Sequence, residues 1–177
     1  MQPLLSSINQ PEWLHGHTAF TTLRTYQGEG MLWPEHLKRL KNTCTFLSLP
    51  EPDTELPPLE AYAFGLLRIT VTFEGTFYSH KPLEVGPKPL AGVAVYLTDL
   101  AVHPALGHHK TGNYLPYRLA QQQAGKHEAF EGWMLDEGGH IVDGSRTSPL
   151  LQIGKKLVMP SGGLPSVTRD FFIQGKP

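Results

Sequence analysis

The chain has 177 residues, 40% of them hydrophobic and 18% charged, with a formal net charge of −1. That length can bury a real core in one large domain or two small ones. The near-neutral charge, with Lys and Arg scattered, excludes the electrostatic footprint of a nucleic-acid binder or of a protein held on an acidic membrane.

The single cysteine, Cys44, allows no intrachain disulfide and fits a reducing compartment. The opening "MQPLLSSINQPEW" has neither a basic start nor a sustained apolar run, so no signal peptide is expected. No window approaches the roughly 18 apolar residues of a membrane helix. The expectation is a cytoplasmic protein. Proline (16) and glycine (18) punctuate the chain at 50–58, 82–92, 104–112 and 160–166 rather than forming a low-complexity tract, and there is no internal repeat.

In chain order, "TAFTTLRTYQ" (18–27) alternates β-branched and aromatic residues and reads as a strand, with "GEG" as the turn of a hairpin. Alternation places Phe20, Thr22 and Arg24 on one face and Thr21, Leu23 and Thr25 on the other. "WPEHLKRLKNTCTFLSL" predicts a helix. Pro34 sits in its first turn, Glu35 lies near the favourable dipole end, and Leu37, Leu40, Cys44 and Leu47 form the core stripe. Arg39 falls at the edge of that stripe. A Pro- and acid-rich loop (50–58) precedes a strand at 65–75, and a second strand follows at 92–100. "HPALGHHKTGN" reads as loop, and 114–124 as a helix with Pro116 in its first turn. The last third predicts an antiparallel meander from "EGWMLD", "HIVDGS", "LLQIG" and "LVMP". The glycine-rich loop "SGGLPSVTRDFF" then leads into a helix start. The implied division is an N-terminal α/β domain (1–102), an interdomain loop (103–109) and a strand-rich C-terminal domain (110–177).

His15, His17, His103, His108 and His109 invite a metal reading, but no carboxylate or cysteine is spaced to complete a ligand set, so no metal is expected. Lys110, taken alone, reads as a solvated surface lysine. Its company changes that. "GGLPSVTRD" offers backbone N–H groups and the Thr168 hydroxyl at a helix start, which suits a phosphate. Arg39 could add a forked cationic contact to the same dianion, and Asp143, at the end of "HIVDGS", is a carboxylate in a strand. A lysine, a phosphate cradle, an arginine and a carboxylate are what pyridoxal phosphate requires: a Schiff-base amine, a phosphate site and a partner that keeps the pyridine nitrogen protonated.

These segments, in this order, resemble the class IV aminotransferases, pyridoxal-phosphate enzymes of fold type IV, from about residue 16 to the end. "HLKRL" is similar to the family's phosphate-arginine helix and casts Arg39 in that role. "HKTGNYL" looks like the Schiff-base motif and casts Lys110 as the cofactor lysine. "DEGGHIVDGSRTS" gives the ring-nitrogen contact to Asp143. "LPSVTR" is similar to a phosphate loop that usually reads Leu-Pro-Gly-Ile-Thr-Arg, and gives phosphate contacts to Val167 (backbone) and Thr168. Tyr114, four residues past Lys110 on a new helix, is expected to reach the ring hydroxyl. The resemblance implies an α+β, two-domain architecture with a small α/β N-terminal domain and a strand-rich, barrel-like C-terminal domain, a small amino substrate and a homodimer. It also implies elements beyond "LPSVTR" that this sequence lacks, so the C-terminal domain is expected to be incomplete, as a fragment or as a naturally shortened relative.

"AFTTLRTYQG", with Phe20, Thr22 and Arg24 on the substrate side, looks more like aminodeoxychorismate lyase than like D-amino acid transaminases, which usually carry a tyrosine at the Phe20 position. The lyase eliminates pyruvate from 4-amino-4-deoxychorismate to leave p-aminobenzoate, on the folate pathway. The alternatives are a branched-chain or D-amino acid transaminase and a non-catalytic remnant of the fold. Three departures from the family pattern bear on activity. Asp143 stands where glutamate is usual and must reach about one methylene further. Ser148-Pro149 replaces an Asn followed by an apolar residue, which is expected to loosen the turn. Ser166 replaces a glycine, and serine there is strained if φ must be positive.

Overall fold

The structure is a computed structural model that describes residues 10–86 and 91–174. The N-terminal stretch 1–9 and positions 87–90 of the Pro-rich connection lie outside the described residues. The chain folds as two compact units. The first holds the chain as far as Pro87 together with His109–Asn113, and the second holds Lys88–His108 and Tyr114–Pro177.

In the first unit a short helix α1 (Pro11–Leu14) precedes strand β1 (Ala19–Tyr26), β2 (Glu29–Gly30), helix α2 (Trp33–Phe46), β3 (Gly65–Thr72) and β4 (Gly75–Pro82). The four strands form one antiparallel sheet in the order β2-β1-β3-β4. The β1–β2 turn is made by Gln27 and Gly28, both at positive φ (50° and 83°), the handedness that matches the twist of a two-residue hairpin. Glu29 and Gly30, expected in the turn, are therefore already in β2.

The alternation of β1 is expressed as burial. Ala19, Thr21, Leu23 and Thr25 are 0–3% exposed, while Arg24 and Tyr26 face outward. Leu67, Ile69 and Val71 of β3 share the inward face, and Leu40 and Cys44 of α2 close the core against it. Burial of such a leucine is worth about 2 kcal/mol, so this cluster is the unit's main source of stability. Cys44 is part of the packing. Burial and the nearby Glu51 carboxylate push its thiol up to about 11, which leaves it unreactive.

Two elements differ from the sequence expectation here. The strand expected over 65–75 ends at Thr72, and after a two-residue turn the chain returns as β4, with Thr72 paired to Gly75. The Thr72 hydroxyl accepts the Glu74 N–H at 3.0 Å and holds that turn. Lys81 and Pro82 mask β4 in the sequence, yet Pro82 is tolerated because β4 is the sheet's edge.

The second unit holds β5 (Val95–Ala101), helix α3 (Leu115–Lys126), β6 (Glu131–Leu135), β7 (Ile141–Gly144), β8 (Leu151–Ile153), β9 (Lys156–Val158) and helix α4 (Val167–Ile173). The expected meander is only partly present. β6 and β7 are antiparallel and β8–β9 is a separate antiparallel hairpin, while β5, not part of that expectation, joins β6 in parallel. A parallel pair needs a long crossover, and α3 lies within that connection. Tyr117 and Ala120 of α3 pack with Val102, Met134 and Val142. Among the described residues no helix is long and apolar enough to cross a membrane.

Candidate active site

Lys110 lies in the first unit, on a segment fastened by its backbone to β1 and α2. Its N–H donates to the Thr43 hydroxyl at 3.3 Å, and its carbonyl accepts the Phe20 N–H at 2.9 Å. Thr111 then bridges to Ala19, and the Gly112 N–H donates to the Thr18 carbonyl at 2.8 Å. Both sides of the Lys110 peptide are thus occupied, which fixes the origin of the side chain. Its Nζ lies 4.7 Å from the centroid of the Phe20 ring, a cation–π contact. His109 stacks on Phe46 at 3.9 Å, while His108 is exposed. Among the described residues no group of three or more His, Cys, Asp or Glu side chains is placed to hold a metal.

Phe20 carries a second cation. The Arg68 guanidinium of β3 sits 4.8 Å from the same ring, and its Nε donates to the Thr22 hydroxyl at 3.4 Å. The pairing Thr22↔Arg68 brings this about. Arg68 is absent from the sequence-derived candidates because the partner strand of β1, and hence the residue opposite Thr22, is not readable without the register. Arg24, two positions further along β1, is exposed.

Arg39 of α2 is half-buried, and its Nη2 donates to the Thr21 hydroxyl at 3.1 Å. Thr21 Oγ1 is also 2.8 Å from Nδ1 of His36, one helical turn before Arg39. His36 is 6% exposed. Burial first, then the positive charges of Arg39 and Lys110, push its imidazole down to about 4, so it is neutral near pH 7.

The second unit carries the remaining candidates. Asp143, on β7, is 3% exposed; one carboxylate oxygen accepts the Gly144 N–H at 2.9 Å and the other the Leu164 N–H at 3.1 Å. The glycine-rich loop before α4 is therefore docked onto the carboxylate strand. A Cβ on Gly163 would lie 2.7 Å from the Val142 carbonyl and 3.0 Å from the Asp143 Cβ, so this close approach requires glycine. The buried Glu131, also missed in the sequence, fixes the turn after Asp143. Its Oε1 accepts from the Gly132 N–H at 3.1 Å, the Arg146 N–H at 3.2 Å and the Ser145 hydroxyl. The signal that could have found it is a lone carboxylate opening a strand of buried residues, since such a group needs donors.

Tyr114 precedes α3 and stacks on Tyr117, ring centroids 4.2 Å apart. Burial, and then the Asp143 carboxylate and Tyr114, raise the Tyr117 phenol above its ordinary range and keep it protonated. Val167 and Thr168 begin α4.

Two of the departures read from sequence are resolved here. Ser166 has φ −96°, so it bears no left-handed strain. It is the N-cap of α4, its hydroxyl accepting the Arg169 N–H at 3.2 Å. Helix geometry leaves the Val167 and Thr168 N–H groups without intrahelical acceptors. The turn at Ser148-Pro149 is tied rather than loose: Pro149 is buried, and its carbonyl accepts from Arg169 Nη1 at 3.0 Å.

With this geometry in hand, comparison with known proteins identifies the class. The chain belongs to the class IV aminotransferase family, whose profile matches residues 18–176. It is similar to a crystal structure of a provisionally assigned 4-amino-4-deoxychorismate lyase, with 39% identity and a TM-score of 0.84 over 97% of this chain and 75% of that one. It shares its fold with 4-amino-4-deoxychorismate lyase from Pseudomonas aeruginosa, at 22% identity and TM-score 0.78, over 98% of this chain and 74% of the other. It shares it also with the PLP-bound form of a hypothetical aminotransferase from Mycobacterium tuberculosis, at 20% identity and TM-score 0.78, covering 98% and 72%. No curated protein matches significantly. The architecture is the α+β arrangement of fold type IV.

Proposed function

We propose that the protein is a pyridoxal-phosphate-dependent lyase that eliminates pyruvate from 4-amino-4-deoxychorismate to give p-aminobenzoate. The observation that carries this reading is the setting of Lys110: its peptide held by Thr43 and Phe20, its ammonium over the Phe20 ring beside Thr22 and Arg68. The 39% identity with a provisionally assigned lyase favours elimination over transamination.

The residues fit the cofactor chemically. Arg39 offers a half-buried guanidinium for the phosphate, and the first turn of α4 offers the N–H groups of Val167 and Thr168 with the Thr168 hydroxyl. Asp143 is a buried carboxylate suited to a protonated ring nitrogen, though it already accepts two backbone N–H groups. Tyr114 would take the ring hydroxyl. When bound, the cofactor withdraws electrons from the substrate carbon that bears the amine. Lys110 takes the proton from that carbon and returns one to the departing enolpyruvyl group. Phe20 and Thr22 line the substrate side. Arg68 and Arg24 supply cations there for a substrate carboxylate.

We also infer a homodimer, the usual state of the fold type. Tyr26, Met31 and Phe64 are exposed on the first unit around a groove of about 310 Å³, which supports an apolar contact there.

The test is incubation of the cofactor-loaded protein with 4-amino-4-deoxychorismate, following p-aminobenzoate and pyruvate. Equal yields of both, abolished in Lys110→Ala, are expected. Steady glutamate from an amino donor and 2-oxoglutarate, with no p-aminobenzoate, would make the protein a transaminase. A protein that stays colourless in excess cofactor and forms neither product would be a non-catalytic member of the fold.

A further inference from the structure

Where β1 and α2 press together in the first unit, the hydrophobic pattern calls for apolar contacts, yet three polar side chains are buried there. Thr21 is 0%, Thr43 1% and His36 6% exposed. Such groups are costly unless their hydrogen bonds are made, so the pattern of those bonds carries information.

Arg39 Nη2 lies 3.1 Å from Thr21 Oγ1 and 3.4 Å from His36 Nδ1, and Thr21 Oγ1 lies 2.8 Å from the same Nδ1. A guanidinium can only donate, so Thr21 Oγ1 accepts from Arg39. The Arg39 Nη2 contact to Nδ1 likewise calls for an acceptor there, so the one proton of the threonine hydroxyl goes to Nδ1. Nδ1 must then present a lone pair, and the imidazole must be neutral with its proton on Nε2. Had Nδ1 carried a proton, it would point at the Arg39 Nη2 donor 3.4 Å away, and a doubly protonated ring would set its charge against the Arg39 and Lys110 cations.

We propose that neutral His36, acting through Thr21, is the positioning residue that aims the Arg39 guanidinium at the phosphate of a pyridoxal-type cofactor. The inference rests on the proposed phosphate role of Arg39 and adds what holds that arginine. A half-buried arginine on a helix has several rotamers within reach. Two fixed acceptors on one side of its Nη2 select among them. Burial and the two neighbouring cations keep His36 in the required neutral form.

The experiment measures pyridoxamine 5′-phosphate and pyridoxamine binding by calorimetry on the cofactor-free 177-residue chain. Neither ligand bonds covalently to a lysine, so the ratio of the two affinities isolates the phosphate contribution. His36→Leu and Thr21→Val are expected to weaken pyridoxamine 5′-phosphate by about tenfold, the effect of one misplaced hydrogen bond to a charged group, with pyridoxamine unchanged. His36→Asn, whose Oδ1 replaces the Nδ1 acceptor, should recover most of the loss. Arg39→Gln separates this inference from the reading beneath it. If that variant leaves the preference for the phosphorylated ligand intact, the phosphate role of Arg39 is wrong. If it erases the preference while His36→Leu and Thr21→Val bind like the parent, His36 does not position the arginine. Equal loss of both ligands in His36→Leu, with no recovery in His36→Asn, would make the histidine a packing residue and overturn the proposal.

Discussion

The neutral His36 imposes a pH dependence on folding whose size follows from its surroundings. In the unfolded chain the imidazole titrates at 6.5; in the folded chain burial, Arg39 and Lys110 hold it at about 4. Between those values the unfolded state binds a proton that the folded state refuses, so acid favours unfolding. The stability associated with the neutral ring is complete above about pH 6.5 and is lost progressively as pH falls toward 4. The full difference corresponds to about 3 kcal/mol, and linkage gives about 2 kcal/mol between pH 7 and pH 5. Urea unfolding of the parent and His36→Asn at a series of pH values measures it. The other titrating groups are common to both proteins, so the parent should lose about 2 kcal/mol more than the variant over that interval. Parallel stability curves for the two, agreeing within about 0.5 kcal/mol, would refute the buried-neutral assignment.

Two further outcomes follow from single hydrogen bonds. Ser166→Ala should lower unfolding free energy by about 1 kcal/mol through loss of the α4 cap, and Ser166→Gly by only a few tenths. A clearly stabilised glycine variant in urea melts would mean that the serine is strained after all. Thr43→Val keeps the shape but removes the acceptor of the Lys110 N–H. It is expected to cost about 1–2 kcal/mol and to speed amide exchange in the peptide spanning 109–113, read by mass spectrometry.

The strong periodicities were legible, and what depended on distant partners was not. α2 announces itself through Pro34, Leu40 and Cys44, and β1 through its alternation, because both signals are local. β4 was hidden because an edge strand can carry Lys81 and Pro82 without losing interior hydrogen bonds. The parallel pairing of β5 with β6 was hidden because the register of strands separated by a helix leaves no mark on either strand. Among site residues, Lys110, Arg39 and Asp143 stood out by chemical type, whereas His36, Arg68 and Glu131 did not. His36 stands four residues before Leu40, in line with the apolar stripe, but the sequence names no hydrogen-bond partner for it. The Thr21 hydroxyl that partners the buried ring comes from β1 and is visible only in the fold. Ser166 was read against a glycine expected at that position, when its own capping preference was the better local guide.

The missed residues share a physical logic. In each unit a buried polar group stands directly behind a residue expected to do chemistry. In the first, Thr21 and His36 stand behind Arg39, and Thr43 behind Lys110. In the second, Glu131 gathers Ser145 and two backbone N–H groups behind Asp143, whose own oxygens secure the loop before α4. Replacing both partners of such a bond by apolar groups of similar shape would cost little stability, whereas removing one leaves the other unsatisfied at about 1–2 kcal/mol. Packing alone does not fix a rotamer or a tautomer, however, and a phosphate or a proton transfer is sensitive to displacements of about half an ångström. Directional bonds in a water-poor interior supply that constraint. Substitutions at Thr21, His36, Thr43 and Glu131 should therefore separate stability from ligand affinity more sharply than substitutions of the apolar core around Leu40 and Leu67, where both fall together.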